Sequence, residues 1–189
     1  MSHYFIGIQI KPEWAKVLSE WQKELVYRLP YKQWTDKLDF HITLVFLGNI
    51  DEKSLDALRN GLQAVTAYAP FTLKKSKLGT FGNKQQPRVL WLGIENNSIL
   101  SKIQKQVVQT CETVGYRKEK RMYTPHITIG KKWTEQEKTL TANGWNDILS
   151  GMPFLDEAFQ VDAIHLYKVH PASKPKYEII QSFPLRGEE

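Results

Sequence analysis

Two short stretches hold the residues whose types and spacing could do chemistry: Phe40-His41-Ile42-Thr43-Leu44 and Pro125-His126-Ile127-Thr128-Ile129. Alternation along a strand sends His41 and Thr43 to one face and Ile42 and Leu44 to the other. His126 and Thr128 separate in the same way from Ile127 and Ile129. Each motif therefore reads as a half-buried strand, with branched apolar side chains in a core and an imidazole and a hydroxyl opposite. If the two polar faces line one cleft, the motifs bring to it two imidazoles, two hydroxyls and no carboxylate. That set suits a phosphate diester. Imidazoles can move protons on both sides of an in-line displacement, and hydroxyls can donate to the non-bridging oxygens. The same pattern would also suit two packed, hydrogen-bonded strand histidines with no chemistry, and the bare repeat leaves both readings open.

The elements that must position these residues follow from periodicity. Tyr4 to Ile10 alternates and predicts a strand. Pro12 opens a helix carrying Trp14, Val17, Leu18, Trp21 and Leu25 at helical spacing, to about residue 29. A strand from Phe40 to Leu47 ends at Gly48-Asn49. Asp51 is the expected N-cap of a second helix with Leu55, Leu58, Leu62 and Val65 inward. Phe71 to Thr80 and Val89 to Ile94 predict two strands joined by the polar turn 82–87. A third helix starts near Ser98, turns Ile99, Ile103, Val107, Cys111 and Val114 inward, and stops at Gly115. The strand around His126 to Ile129 follows, then a polar connection from Trp133 to Ser150 with no assignable structure. Two last strands are expected over Phe159 to Val169 and Tyr177 to Leu185. The fold class is α+β, because strands outnumber helices without regular alternation. A helix precedes each His-Ile-Thr strand, which suggests two related lobes within one domain spanning 1–189.

The chain has 189 residues, a net charge of +6 and 41% hydrophobic residues, enough for a real core and a lean toward an anionic partner. The single cysteine, Cys111, excludes an internal disulfide and a cysteine zinc site. No leader pattern and no apolar run of about 20 residues is present, so a cytoplasmic protein without a membrane span is expected. His165 and His170, five apart in a strand pattern, make a poor chelating pair, and no metal or other cofactor is expected. Phe5, Phe81, Trp91 and Tyr123 could stack on a base, although core packing is the better explanation for any one of them. Residues 117–121 (Arg-Lys-Glu-Lys-Arg) could attract a nucleic-acid backbone or form a solvated turn.

At these residues the sequence resembles the two-histidine (2H) phosphoesterases, specifically the bacterial and archaeal RNA 2′,3′-cyclic phosphodiesterases once named 2′-5′ RNA ligases. The resemblance rests on His41-Ile42-Thr43-Leu44-Val45-Phe46-Leu47-Gly48 and Tyr123-Thr124-Pro125-His126-Ile127-Thr128-Ile129, and on the 85-position spacing of the histidines. It extends to Phe5-Ile6-Gly7-Ile8, Val89-Leu90-Trp91-Leu92-Gly93 and the closing strands. It implies a bilobal fold of mainly antiparallel sheet with outer helices and a central cleft. It also implies His41 as proton donor, His126 as proton acceptor, and Thr43 and Thr128 as phosphate ligands. Tyr123 matches an aromatic of the family motif and is the best candidate to stack on a base. Lys131 stands where the family often has arginine; it keeps the charge and loses the bidentate fork. The implied reaction is hydrolysis of a 2′,3′-cyclic phosphate at an RNA 3′ end to a 2′-phosphate, with tRNA fragments as candidate substrates and a monomeric protein. Cleavage or ligation of 2′-5′ linkages, hydrolysis of small cyclic nucleotides, and non-catalytic binding of RNA ends are the alternatives.

Overall fold

Alternating apolar residues and helix-capping signals account for most of the elements in the computed structural model, which describes residues 2–117, 121–134, 148 and 158–187. Strand β1 (His3–Gln9) leads into α1 (Pro12–Leu25), which has proline in its first turn and buries Trp14, Ala15, Leu18, Trp21 and Leu25. The chain then forms β2 (Tyr31–Trp34) and β3 (His41–Asn49). Helix α2 (Glu52–Leu62) starts where the Asp51 carboxylate accepts from the Ser54 N–H at 2.9 Å, as the sequence predicts. A 3-10 turn, Gln63–Ala67, brings Val65 inward. Strands β4 (Phe71–Gly82) and β5 (Pro87–Ile94) form a hairpin. Helix α3 (Ser98–Glu112) is capped by Asn97, and Gly115 leaves it at a φ of 88° that side-chain-bearing residues rarely adopt. Strands β6 (His126–Trp133), β7 (Ala158–Val161), β8 (Ala163–Val169) and β9 (Tyr177–Pro184) complete the described elements.

All pairings are antiparallel, and the strand order is β7-β4-β5-β6-β3-β1-β8-β9, with β2 alongside β6. The two halves meet at β3 and β6. One face of the sheet carries the core, including Ile6, Ile8, Ile42, Leu90, Leu92, Ile127 and Ile164, under α1 and α3. The helices cross between halves. Trp14 of α1 meets Phe159 of β7 edge-on at 4.6 Å, and the Gln22 side-chain amide donates to the Ile129 carbonyl of β6, while α3 packs on β3.

Two expectations change. The stretch Phe159 to Val169 is not one strand. It breaks at Asp162, and β7 joins β4 at one end of the strand order while β8 joins β1 and β9 near the other. One residue spans that gap because the sheet curls, leaving an open sheet whose ends approach without pairing among the described residues. The Asp162 carbonyl accepts from the Leu185 N–H and its carboxylate pairs with Lys11, holding the corner. The first helix also stops at Leu25, and Pro30 is followed by β2, a strand the periodicity did not reveal. Of the connection from Trp133 to Ser150, positions 135–147 and 149–150 lie outside the described residues, as do positions 118–120 of the basic stretch.

Candidate active site

The two motifs meet through a single residue pair, Ile42 with Ile127, in the antiparallel contact of β3 with β6. Both isoleucines are fully buried in the core. Their neighbours along each strand, His41 and Thr43, His126 and Thr128, therefore share the opposite face of one sheet. Continuing that register sets His41 across from Thr128 and Thr43 across from His126. The two histidines are then diagonal neighbours, about 7–8 Å apart for paired strands and within reach of one another's long side chains. The cleft is thus one sheet face.

Each imidazole is oriented by its own chain. Nδ1 of His41 lies 2.7 Å from the Asp39 carbonyl, and Nδ1 of His126 lies 2.7 Å from the Thr124 carbonyl. A carbonyl only accepts, so Nδ1 donates in both rings and Nε2 is the atom left for proton transfer. Nε2 of His41 lies 3.0 Å from the Thr43 hydroxyl. When His41 is neutral the hydroxyl donates to it; when His41 is protonated, the hydroxyl proton is released to donate elsewhere. The Asp39 carboxylate, the buried acidic group of this region, accepts from the backbone N–H groups of Lys176 and Tyr177. Asp39 thereby ties the His41 strand to the β8–β9 turn.

Aromatic rings surround both imidazoles. His41 lies 4.6 Å from Phe5, 4.9 Å edge-on from Tyr177 and 6.1 Å from Tyr167. His126 lies 5.0 Å edge-on from Phe81 and 5.9 Å from Trp91. The Trp91 ring fits because residue 79 is glycine: a Cβ there would come within 2.3 Å of it. Burial is the main force depressing both imidazoles, against the opposing pull of the Asp39 and Thr124 carbonyls, and Lys131 adds to the depression. His41 is brought down to about 4, with His126 contributing further; His126 is lowered by the same leading cause. Burial thus disfavours the protonated form of both rings, and a bound anion would favour it.

Lys131 reaches this face through a β-bulge. Strict alternation from His126 would send residue 131 to the core side. On β6, however, Trp91 pairs with Thr128 while Leu90 pairs with Gly130, so Ile129 is an extra residue and the faces switch. Lys131 then stands opposite Val89 on the imidazole side. Strand β3 does the same against β1, where Gly7 pairs with Thr43 but Ile6 pairs with Val45, so Phe46 joins Phe5 on the site face. The fifth position after each histidine is thus brought into the cleft, cationic in one half and aromatic in the other.

Tyr123 is placed differently from the expectation for a base-stacking ring. It packs against the core with its hydroxyl buried, and the rings in contact with His126 are Phe81 and Trp91. Asp39, Tyr167 and Tyr177 escaped the sequence reading because they belong to no motif; only their tertiary packing brings them to His41. His165 and His170 have separate partners, the Ser182 hydroxyl at 2.9 Å and the Glu178 carboxylate at 2.7 Å. The Cys111 thiol is buried, which pushes it up to about 12 and leaves it unreactive. Among the described residues no group of three or more His, Cys, Asp or Glu side chains is arranged to hold a metal, and no helix is long and apolar enough to cross a membrane.

Comparison with known proteins points the same way. The model of the 2′-5′ RNA ligase superfamily matches residues 10–172. The RNA 2′,3′-cyclic phosphodiesterase of Bacillus subtilis is 32% identical over 97% of this chain and 96% of its own. The protein of the same name from Geobacillus stearothermophilus is 34% identical over 98% of this chain, which spans only 58% of that relative's length. In fold, the chain is similar to Escherichia coli LigT complexed with 3′-AMP (TM-score 0.79, 20% identity, 97% of this chain and 98% of the other). It is similar too to TT0787 of Thermus thermophilus (TM-score 0.77, 22% identity, 99% and 100%).

Proposed function

The chain belongs to the 2′-5′ RNA ligase superfamily, and from that premise we propose that it is an RNA 2′,3′-cyclic phosphodiesterase working by two-histidine acid–base catalysis within one two-lobed domain. The observation that carries the reading is the Ile42–Ile127 pairing, from which both imidazoles and both hydroxyls share a sheet face. In the proposed step, His126 Nε2 takes a proton from water as the water oxygen attacks phosphorus. The bond from phosphorus to the 3′ oxygen breaks, and protonated His41 Nε2 delivers its proton to that oxygen. The product carries a 2′-phosphate and a free 3′ hydroxyl.

The substrate anion supplies the condition that favours a protonated His41. Its negative charge beside His41 offsets desolvation and the Lys131 charge, so the imidazole takes up a proton as the phosphate binds. Protonation also turns the Thr43 hydroxyl from His41 toward the phosphate. Thr43 and Thr128 donate to the equatorial oxygens, and Lys131 balances their charge. The names of the relatives support a cyclic phosphate at an RNA end as substrate. The test is incubation of the pure protein with RNA ending in a 2′,3′-cyclic phosphate, followed by determination of the product's phosphate position. A 2′-phosphate is expected. An intact cyclic end would overturn the activity, and a 3′-phosphate would reverse the identity of the leaving oxygen.

A further inference from the structure

Beside His41 the sheet face continues into a cavity of about 210 Å³ whose lining includes Trp34, Asp39, Lys131, Lys174, Lys176 and Tyr177. Tyr177 is the ring that meets His41 edge-on, so the cavity adjoins the reacting centre. Its carboxylates are already engaged. Asp39 accepts from two backbone N–H groups, and Asp36, also in the wall, accepts from the Leu38 N–H. Among the described residues none of the three lysine ammonium groups has an ion-pair partner. The Trp34 indole N–H is buried and has no acceptor. Desolvation and the neighbouring Lys176 hold the Lys131 ammonium below its ordinary value. Lys131 bears in turn on both imidazoles. Three ammonium groups against two carboxylates leave the lining net positive, and a part-enclosed space with that charge and surplus donors favours an anion. Its volume falls short of the roughly 300–1,000 Å³ that holds a whole small molecule, which suits a phosphate group and not a base.

We propose that this cavity is a second phosphate site, formed by Lys174 and Lys176 with Lys131 standing between it and the reacting phosphate, which holds the phosphodiester on the 5′ side of the terminal cyclic nucleotide. The protein would then favour strands over cyclic mononucleotides. The identity of the phosphate rests on the function proposed above, so the test reads binding and not turnover. Adenosine 2′-phosphate and adenosine 2′,5′-bisphosphate are titrated calorimetrically into the wild type and into the double variant Lys174→Gln, Lys176→Gln. Both substitutions are on the β8–β9 turn, away from the core. The 5′-phosphate should tighten wild-type binding roughly tenfold, as expected for a charge-assisted contact. It should also steepen the salt dependence by about 0.7 in log–log slope. In the double variant both gains should vanish while adenosine 2′-phosphate binds as before. Equal wild-type affinity for the two nucleotides, a gain that survives in the variant, or no binding of either overturns the site. An inactive protein that still shows the gain sinks the phosphodiesterase reading and leaves this one standing; an active one without it does the reverse.

Discussion

The two halves of the cleft carry the same motif in different surroundings. His41 sits among Phe5, Tyr167 and Tyr177 and keeps a hydrogen bond to Thr43, while His126 meets only Phe81 and Trp91 among the described rings and has no such bond to Thr128. Both Nδ1 atoms are fixed identically, by a carbonyl two residues back at 2.7 Å. The motif therefore sets tautomer and direction, and the packing around it sets proton affinity. The bulges repeat the lesson: one device in both strands delivers Phe46 to one half and Lys131 to the other. A donor–acceptor pair can thus arise from a duplicated pattern by changing what lies beside it.

The strongest way to break the comparison is to remove each imidazole. His41→Ala and His126→Ala should each lower turnover of the cyclic phosphate by about 10²–10⁴-fold. The fold should persist, because Ile42 and Ile127, fully buried, contribute about 1.5–3 kcal/mol each through the other face. Circular dichroism alongside initial rates checks both, with glutamine variants where alanine unfolds the chain. If both folded variants turn over near the wild-type rate, the histidines are structural.

The threonines should cost less, about 1.5–3 kcal/mol of transition-state stabilisation each. They should also differ. Thr43→Ala should move the titration of His41 as followed by NMR, whereas Thr128→Ala should leave both imidazoles where they were. A shift of equal size from either change would erase the distinction between halves.

Acid sharpens the same contrast. Burial holds His41 and His165 at about 4 in the folded chain against 6.5 when exposed, and lowers His126 too. The unfolded chain consequently binds more protons between pH 6.5 and 4, so stability should fall as pH falls through that window. The slope approaches about 1.4 kcal/mol per pH unit for each fully differing histidine. Denaturant unfolding at pH 7, 6, 5 and 4 should show a shallower decline for His41→Gln than for wild type. Adenosine 2′-phosphate binding near pH 8, where its phosphate is already fully ionised, should take up protons, visible in buffers of different ionisation enthalpy. Proton release on binding would contradict the anion-driven protonation of His41.

The smallest expected effect is none. Turnover should be unchanged in EDTA, since hydroxyls and Lys131 supply the charge neutralisation assigned to them here. Loss of activity restored by a divalent ion would show a missing ligand in one half.

Where the physics is local, the amino-acid sequence alone carries the structure. Helix spacing placed Leu18, Leu58 and Ile103 inward, Asp51 and Gly115 marked helix ends, and alternation separated His41 and Thr43 from Ile42. The resemblance carried the candidate site further than periodicity could, down to Lys131, which simple alternation would have sent to the wrong face. Three features had no local signal. The break at Asp162 depends on how far the sheet curls, β2 exists because β6 offers it an edge, and Tyr177 reaches His41 only after Asp39 grips its turn. By itself the sequence determined which side chains share a strand face, because that follows from backbone geometry within a few residues. Tertiary structure alone decided which strands adjoin, where a bulge switches the faces, and how deeply each imidazole is buried, because those depend on contacts between segments far apart in the chain.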